Sequence, residues 1–343
     1  MSKLRARGER IRTFILENVE QYPDSIAQVA ATEFDISRQA INKHLKRLVE
    51  EGSLVVQGKT RSRRYNLKPL IEWTDHFEIE PNLAEDIIWS QEIEPHLGAM
   101  PDNVMAIWNY GFTEMFNNAI DHSEGSVISV SLSKSATATE IVLVDDGIGI
   151  FKKIQTELGL LDERHSVLEL AKGKLTTAPD RHSGEGIFFT SRMFDDFDIM
   201  SGGIYFYHKF GEQEDWIRER KQFSSGTAVW MKLSNHTART DKQIFDQFSF
   251  GDDYGFNKTV VPVKLAQYGS DRLISRSQAK RLIVRFDRFK IVVLDFKDVD
   301  SIGQAFADEV FRVFQKQHSD IELVPVSANE DVMRMVKRAI SNL

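Results

Sequence analysis

Along this chain the spacing of apolar residues switches between helical and extended periods, and the switches mark out its elements. Glu9–Val19 sets Ile11, Phe14, Ile15 and Leu16 on one side at helical spacing. Pro23 breaks the chain, Ser25–Thr32 fits a short second helix, and Asp35-Ile-Ser37 predicts a turn with Ser37 as an N-cap. A third helix, Arg38–Glu50, buries Ala40, Ile41, Leu45 and Leu48 and turns Arg38, Gln39, Asn42, Lys43, Lys46 and Arg47 outward, and Gly52 ends it. Two extended runs, Ser53–Gln57 and Tyr65–Leu67, flank the basic stretch Gly58–Arg64. Beyond Pro69, the prolines Pro81, Pro95 and Pro101 punctuate acidic and apolar residues. Glu85–Glu94 reads as a helix there, so residues 71–100 form a helical connector, with Trp73, Trp89 and Trp108 as packing residues at a domain junction.

The segment Phe112–Ser123 carries two patterns at once. Met115, Phe116, Ala119 and Ile120 mark the buried side of a helix, while Glu114, Asn118 and Asp121, at i, i+4 and i+7, share another face. A stripe of Glu, Asn and Asp on an otherwise buried helix destabilises it unless the stripe meets a ligand or partner. Ile141–Ile150 then runs as a buried-type strand into Asp145, Gly147 and Gly149. After a stretch with the look of a mobile loop, Gly184 and Gly186 open a helix over Ile187–Phe194. A polar helix, an Asp at a strand end and glycines opening a helix, in that order, point to a nucleotide site.

Three boxes carry a family resemblance: Glu114-x-x-x-Asn118-Ala-Ile-Asp121, Asp145-x-Gly147-x-Gly149 and Gly184-x-Gly186. In order and separation they resemble the ATP-site motifs of the GHKL superfamily. That group includes gyrase, heat-shock chaperone ATPases, sensor histidine kinases, mismatch-repair ATPases and anti-sigma-factor serine kinases. Gly226-Thr227, before the strand Ala228–Leu233, adds a fourth match, and the resemblance covers roughly residues 80–235. It implies a site for ATP and Mg2+. Asn118 would give its amide oxygen to Mg2+, a hard cation held through oxygen ligands and substrate phosphates. Glu114 would polarise the attacking water as general base, and Asp145 would accept the exocyclic amine of adenine. Gly147 and Gly149 would let the backbone approach the base, and Gly184 and Gly186 would offer N–H groups to the phosphates. Thr227 and Asp121 would complete the set, Asp121 through waters or Asn118. Phe151–Arg181 fits the ATP lid, and its Lys152, Lys153, Lys172, Lys174 and Arg181 suit either the lid or a solvated surface. His122 resembles the His at this place in anti-sigma kinases and suits a helix-end cap equally well.

Charge divides the chain unevenly. Residues 1–70 hold 14 Lys/Arg against 8 Asp/Glu, a net +6, so the remainder carries −13 of the total −7. A basic first part on an acidic body points to a polyanion meeting the first part alone. Three helices and two strands around a basic loop resemble a winged helix-turn-helix of bacterial regulators, over residues 1–70. The resemblance implies binding to double-stranded DNA with the third helix in the major groove. Gln39 and Asn42 would read base edges. Arg38, Lys43, Lys46 and the wing residues Arg61, Arg63 and Arg64 would contact the backbone. A DNA site with two-fold symmetry calls for a homodimer.

From Val260 onward strands and helices alternate: Val260–Leu265, Ser275–Phe286, Lys290–Phe296, Gln304–Gln317, Glu322–Val326 and Glu330–Ile340 predict a small α/β domain. The strand Ile291–Phe296 and Asp300-Ser301-x-Gly303 before a helix resemble the STAS fold of anti-sigma-factor antagonists, with Ile302 where a second Ser is usual. In that family the Ser is a kinase substrate, so Ser301 is either a phosphoacceptor or a helix N-cap. A protein partner at this domain follows from the same resemblance.

The expected fold is thus multidomain α/β. A winged helix-turn-helix (1–70) precedes a helical connector (71–100), a GHKL α/β sandwich (101–235), a linker (236–257) and a STAS-like domain (258–343). The chain has no Gly-x4-Gly-Lys-Ser/Thr, which excludes a P-loop ATPase. It lacks the phosphoacceptor helix of a histidine kinase and the long transducer domain of gyrase. Zero cysteines exclude disulfides and thiol catalysis. No apolar run is long enough to span a membrane and no signal peptide is evident, so a cytoplasmic protein is expected. The expected function is an ATP-binding and hydrolysing transcriptional regulator whose nucleotide state controls DNA or partner binding. A serine protein kinase of the anti-sigma type and a non-hydrolysing ATP-sensing repressor remain open beside it.

Overall fold

A computed structural model describes residues 3–58, 63–175, 184–211, 215–249, 255–267 and 272–341. It is a mixed α/β protein with three separate sheets. Helices α1 (Lys3–Asn18), α2 (Ile26–Glu33) and α3 (Arg38–Glu50) are followed by strands β1 (Leu54–Gln57) and β2 (Arg64–Leu67), paired antiparallel. Ser37 caps α3 as its sequence predicts, its Oγ accepting from the Ala40 amide at 3.2 Å. Ile11, Ile15, Ile41, Leu45 and Leu48 form a core that belongs to this N-terminal module alone.

The chain then passes directly into strand β3 (Ile71–Glu78). The Lys68 amide donates to Ser53 of the N-terminal module, and the Leu70 amide donates to Lys134 of the next sheet, which leaves Pro69 between the two ladders. β3 corrects the expected connector: its first eight residues are an edge strand, with Ile71, Trp73 and Phe77 turned inward and Glu72, Asp75 and Glu78 exposed. The alternation was present, but charges on an edge strand blur it, and such charges guard an edge against stray pairing. Helices α4 (Glu85–Ile88) and α5 (Glu94–Leu97) follow, joined by a π-helical turn, Trp89–Ile93.

Helix α6 (Asp102–His122) lies on a five-stranded antiparallel sheet of order β3-β4-β5-β7-β6. Its other strands are β4 (Val127–Lys134), β5 (Ala138–Asp145), β6 (Asp196–Lys209) and β7 (Asp215–Ser234). Between β5 and β6 come helices α7 (Ile150–Leu158), α8 (Glu163–Lys172) and α9 (Gly186–Met193). Here the expected lid is corrected. Phe151 and Ile154 of α7 and residues 165–172 of α8 are buried, so most of that stretch is packed helix. The remainder, 176–183 with Arg181, lies outside the described residues. One face of α6, with Trp108, Phe112 and Phe116 fully buried, supplies the centre of the core against Ile128, Leu143, Phe197 and Met231 of the sheet.

Helix α10 (Asp241–Phe248), begun by a Thr240–Gln243 capping box, occupies the expected linker. The C-terminal module has three parallel strands in order β10-β9-β8: β8 (Lys258–Pro262), β9 (Ile291–Asp295) and β10 (Glu322–Val326). Its helices are α11 (Arg276–Ile283), α12 (Gln304–Asp308), α13 (Gln315–Gln317) and α14 (Glu330–Ile340), with a π-helical turn, Glu309–Phe314, joining α12 to α13. The last strand and helix match their expected bounds, whereas β8 stops at Pro262 and gives way to a 3-10 turn, Val263–Ala266.

The C-terminal module shares one continuous core with the central sheet and helices. Phe256, just before β8, places its ring 4.6 Å from Phe188, 4.9 Å from Phe189 and 5.4 Å from Phe289, centroid to centroid. Removing a buried Phe ring costs about 3–5 kcal/mol. Phe256→Ala should therefore lower the urea midpoint of the central and C-terminal modules together, followed by tryptophan fluorescence for the central module, which holds all five tryptophans, and by amide hydrogen exchange for the C-terminal one. A loss confined to one of the two modules would contradict the shared core.

Candidate functional site

At the C-terminal end of β5 the chain buries a carboxylate. Asp145 Oδ1 accepts from the Gly147 amide at 2.9 Å and the Thr227 amide at 3.2 Å, and the Thr227 hydroxyl bonds the same carboxylate. Burial pushes the Asp145 pKa up, and these hydrogen bonds pull against that rise. The Thr227 hydroxyl also accepts from the Ile150 amide at 3.0 Å, which pins the start of α7 to β7. The turn is tight. A Cβ on Gly147 would lie 2.0 Å from the Ser123 carbonyl oxygen, and one on Gly226, where φ is +75°, would lie 1.9 Å from the Asp145 carbonyl oxygen. The adjacent Asp146 faces outward and serves structure, accepting from the Ser126 amide at 2.6 Å and the Val127 amide at 3.0 Å. Those bonds, with the Ser126 hydroxyl foremost, hold its pKa down at about 2.

Asp145 lines a cavity of about 300 Å3 between α6 and the sheet, closed by α7, α8 and α9. Its walls are largely apolar, with Met115, Leu143, Ile154, Ile199 and Val229 among them. Polar groups enter at few points: Glu114, Asn118 and His122 from α6, Asp145 and Thr227 from the sheet, and Lys153 from α7. A concave, mostly apolar pocket with a few placed polar groups is the usual form of a small-molecule site. The Glu114 carboxylate lies beside the first residue of α9, since a Cβ on Gly186 would be 2.0 Å from Glu114 Oε2. Close by, burial foremost and then the charges of Glu114 and Glu185 push the Tyr110 hydroxyl well above the usual tyrosine range.

Of the residues expected from sequence, Glu114, Asn118, Asp145, Gly184, Gly186 and Thr227 line this one cavity. Gly147 and Gly149 stand behind it, shaping the turn that carries Asp145. With φ at +89°, Gly149 begins α7, where a Cβ would meet Ser201 Oγ at 2.5 Å. Asp121 does not join the lining: it is exposed, and His122, one residue on, lines the cavity instead. The helical period explains the exchange: the lining arc of α6 runs through Glu114, Asn118, His122 and Met115, and Asp121 falls about 20° beyond Glu114 on the side away from it. Lys153 is the lining cation, its Nζ 2.7 Å from Glu124 and 3.6 Å from Glu157. Lys172, expected on a lid or a solvated surface, is fully buried behind the cavity, its Nζ 2.6 Å from Glu169 Oε1.

The second candidate surface is on α3. Arg38, Gln39, Asn42, Lys43 and Lys46 are all exposed on the side opposite Ile41, Leu45 and Leu48. At the start of β2, Arg63 and Arg64 are exposed, and Arg64 pairs with Asp24 at 3.2 Å. Such exposed pairs contribute little to stability and separate easily. Arg61 lies outside the described residues.

Ser301, half-buried, precedes α12 by two residues but does not cap it; Gly303 holds the cap position. Asn329 fixes the turn from the other side, donating to the carbonyls of Val299 and Asp300 at 3.1 and 2.9 Å.

Residues 278–333 match the family model described as a STAS-like domain of unknown function (DUF4325). The C-terminal module is therefore STAS-like, in keeping with its strand–turn–helix pattern. No curated protein matches the chain. No helix among the described residues is long and apolar enough to cross a membrane.

Asp145 yields a test that separates a functional carboxylate from a structural one. Asn at this position keeps an Oδ1 for both amides and removes a buried charge. Because the folded carboxyl titrates above its ordinary value, the charge lowers stability at neutral pH, and that deficit fades as pH falls through the ordinary Asp range. Asp145→Asn should unfold in urea at or above the wild-type midpoint at pH 7. A clearly lower midpoint would make the carboxylate a structural anchor.

Proposed function

We propose that the protein binds ATP with Mg2+ in the cavity between α6 and the five-stranded sheet, and binds double-stranded DNA through α3 and the β1–β2 hairpin. The observation that carries the first half is Asp145: a carboxylate buried in the wall of a mostly apolar pocket, backed by glycines that admit no side chain. Such a pocket suits adenine, whose 6-amino group a carboxylate accepts from, whereas guanine in the same orientation would turn its 6-oxo acceptor toward that carboxylate. The GHKL-like order of the lining residues supports the same ligand. Asn118 would hold Mg2+, which completes its oxygen shell with nucleotide phosphates and water and when bound neutralises phosphate charge. The first turn of α9 would offer the phosphates amides that have no carbonyl partner within the helix. Glu114, whose carboxylate lies beside that turn, would in this reading accept a proton from a water at the terminal phosphate.

The exposed basic and amide side chains of α3, over a separate core, support the DNA half. The three helices and paired strands of the N-terminal module support reading it as a winged helix-turn-helix. In this reading it is an ATP-responsive transcriptional regulator, working as a homodimer on a two-fold DNA site.

Two experiments test the halves separately. With ATP labelled at the γ-phosphate, wild type should release free phosphate, Glu114→Ala should bind ATP without releasing it, and Asn118→Ala should lose Mg-dependent binding. Label retained on wild-type protein and lost in Ser301→Ala would replace hydrolysis by serine phosphorylation, and binding without turnover in wild type would leave an ATP sensor.

For DNA, replacing Lys43, Lys46 and Arg63 with Ala should weaken binding and flatten the plot of log affinity against log salt. The slope should change by roughly 0.9 for each phosphate that is no longer neutralised. An unchanged slope would remove these residues from the interface.

A further inference from the structure

The C-terminal module reaches the cavity wall through the stretch that follows α8. After α8 ends at Lys172, the chain runs through Gly173 and Lys174 to Leu175, which lines the cavity and donates its amide to the Gly184 carbonyl at 2.9 Å. This stretch is held from the C-terminal side. Arg285 Nη2 donates to the Gly173 carbonyl at 2.9 Å and also to the Lys174 carbonyl. Arg288 Nη1 donates to the Lys174 carbonyl at 2.8 Å, and Lys174 Nζ answers with a bond to the Arg288 carbonyl at 2.9 Å. Thr259 Oγ1 donates to the Lys172 carbonyl at 2.7 Å.

Beneath these contacts lies a buried group of charges. Arg285 Nη1 is 3.1 Å from Glu169 Oε2, and Lys172 Nζ is 2.6 Å from Glu169 Oε1 and 3.0 Å from the Val284 carbonyl oxygen. Taking charges out of water is costly, and apolar residues of similar volume would stabilise such a junction at least as well. What the group supplies is register. A planar guanidinium has donors fixed in a fork, able to meet two carbonyls and a carboxylate at once in one orientation. Arg285 is also held at φ +64°, a left-handed conformation uncommon outside glycine, which aims its side chain back at α8.

The chain of contacts does not end at Lys174. Burial raises the Glu185 carboxyl and the Lys174 charge opposes that rise, so these two groups feel each other. Glu185 is the N-cap residue of α9, whose Gly186 abuts Glu114. A shift of Gly173–Leu175 would therefore be felt at the polar end of the cavity.

We propose that Arg285 is a positioning residue for the cavity, through which the STAS-like module sets the wall at Leu175 and links cavity occupancy to its own docked state. The linkage is reciprocal: a ligand that favours the set wall tightens docking, and a partner that loosens docking weakens the ligand. Only the identity of the ligand rests on the nucleotide reading; the positioning does not.

Amide hydrogen exchange on the full chain, with and without the Mg2+ complex of a non-hydrolysable ATP analogue, tests both parts. Arg285→Ala should raise exchange at Leu175 and in the first turn of α9 while α6 stays protected, and should weaken analogue binding about tenfold or more. In wild type the analogue should protect residues 284–290. Wild-type exchange at Leu175 in the variant, with or without analogue binding, overturns the proposal. Altered exchange in a protein that never binds the analogue sustains the positioning and removes ATP as the ligand. If Arg285→Ala does not fold, Arg285→Lys and Arg288→Ala decide by the same exchange readout. The first keeps the charge but loses the fork, and the second removes a single hydrogen-bond donor near the surface.

Discussion

A carboxylate that is both buried and shared between three backbone segments organises the centre of this molecule. Asp145 ends β5, and through its Oδ1 it fastens the Gly147 turn and the Gly226–Thr227 segment of β7 to that end. The two glycines are required by distance, since any side chain would run into a carbonyl about 2 Å away. Thr227 then passes the constraint to α7 through the Ile150 amide. Sheet, turn and helix are registered by one acceptor, and the cavity is the space that remains when they are.

Around that point the molecule uses apolar and polar packing for different ends. The phenylalanine cluster at Phe188, Phe189, Phe248 and Phe256 is non-directional and supplies cohesion between the central and C-terminal modules. The Glu169–Lys172–Arg285 group adds little net stability by comparison and fixes which way the modules meet. An interface built from rings alone would tolerate sliding; one with a forked donor at its edge does not. Among the described residues, the N-terminal module has neither kind of tie to the body beyond its chain connection and the Lys232–Glu20 pair at 2.6 Å.

How far the sequence could be read follows from where each signal lies. The bounds of α3, β10 and α14 were legible because a capping Ser or Asn and a strict apolar period sit within a few residues of each other. Six of the residues that line the cavity were legible for a similar reason, each box being local. The strand β3 was obscured because an edge strand is allowed charges that a central one is not. The burial of Lys172 was out of reach, since the groups that satisfy it, Val284 and the Arg285-bound Glu169, include ones far along the chain. The STAS-like module was recognisable by its alternation and turn. Its grip on the cavity wall was not, because a left-handed arginine leaves no pattern in composition or period.

Pro69 is a mechanical element of its own. With Lys68 bonded into one ladder and Leu70 into the next, the joint between the N-terminal module and the body is one residue long. Proline fixes its own φ near −65° and restricts the residue before it. The joint therefore behaves as a stiff hinge with few free torsions, unlike a tether that lets a domain diffuse. In the DNA-bound dimer proposed above, two copies could not adjust independently to two half-sites: the spacing of the paired α3 helices would be dictated by how the bodies stand to each other. A small rotation between bodies would then be delivered, lever-like, as a larger displacement at those two helices.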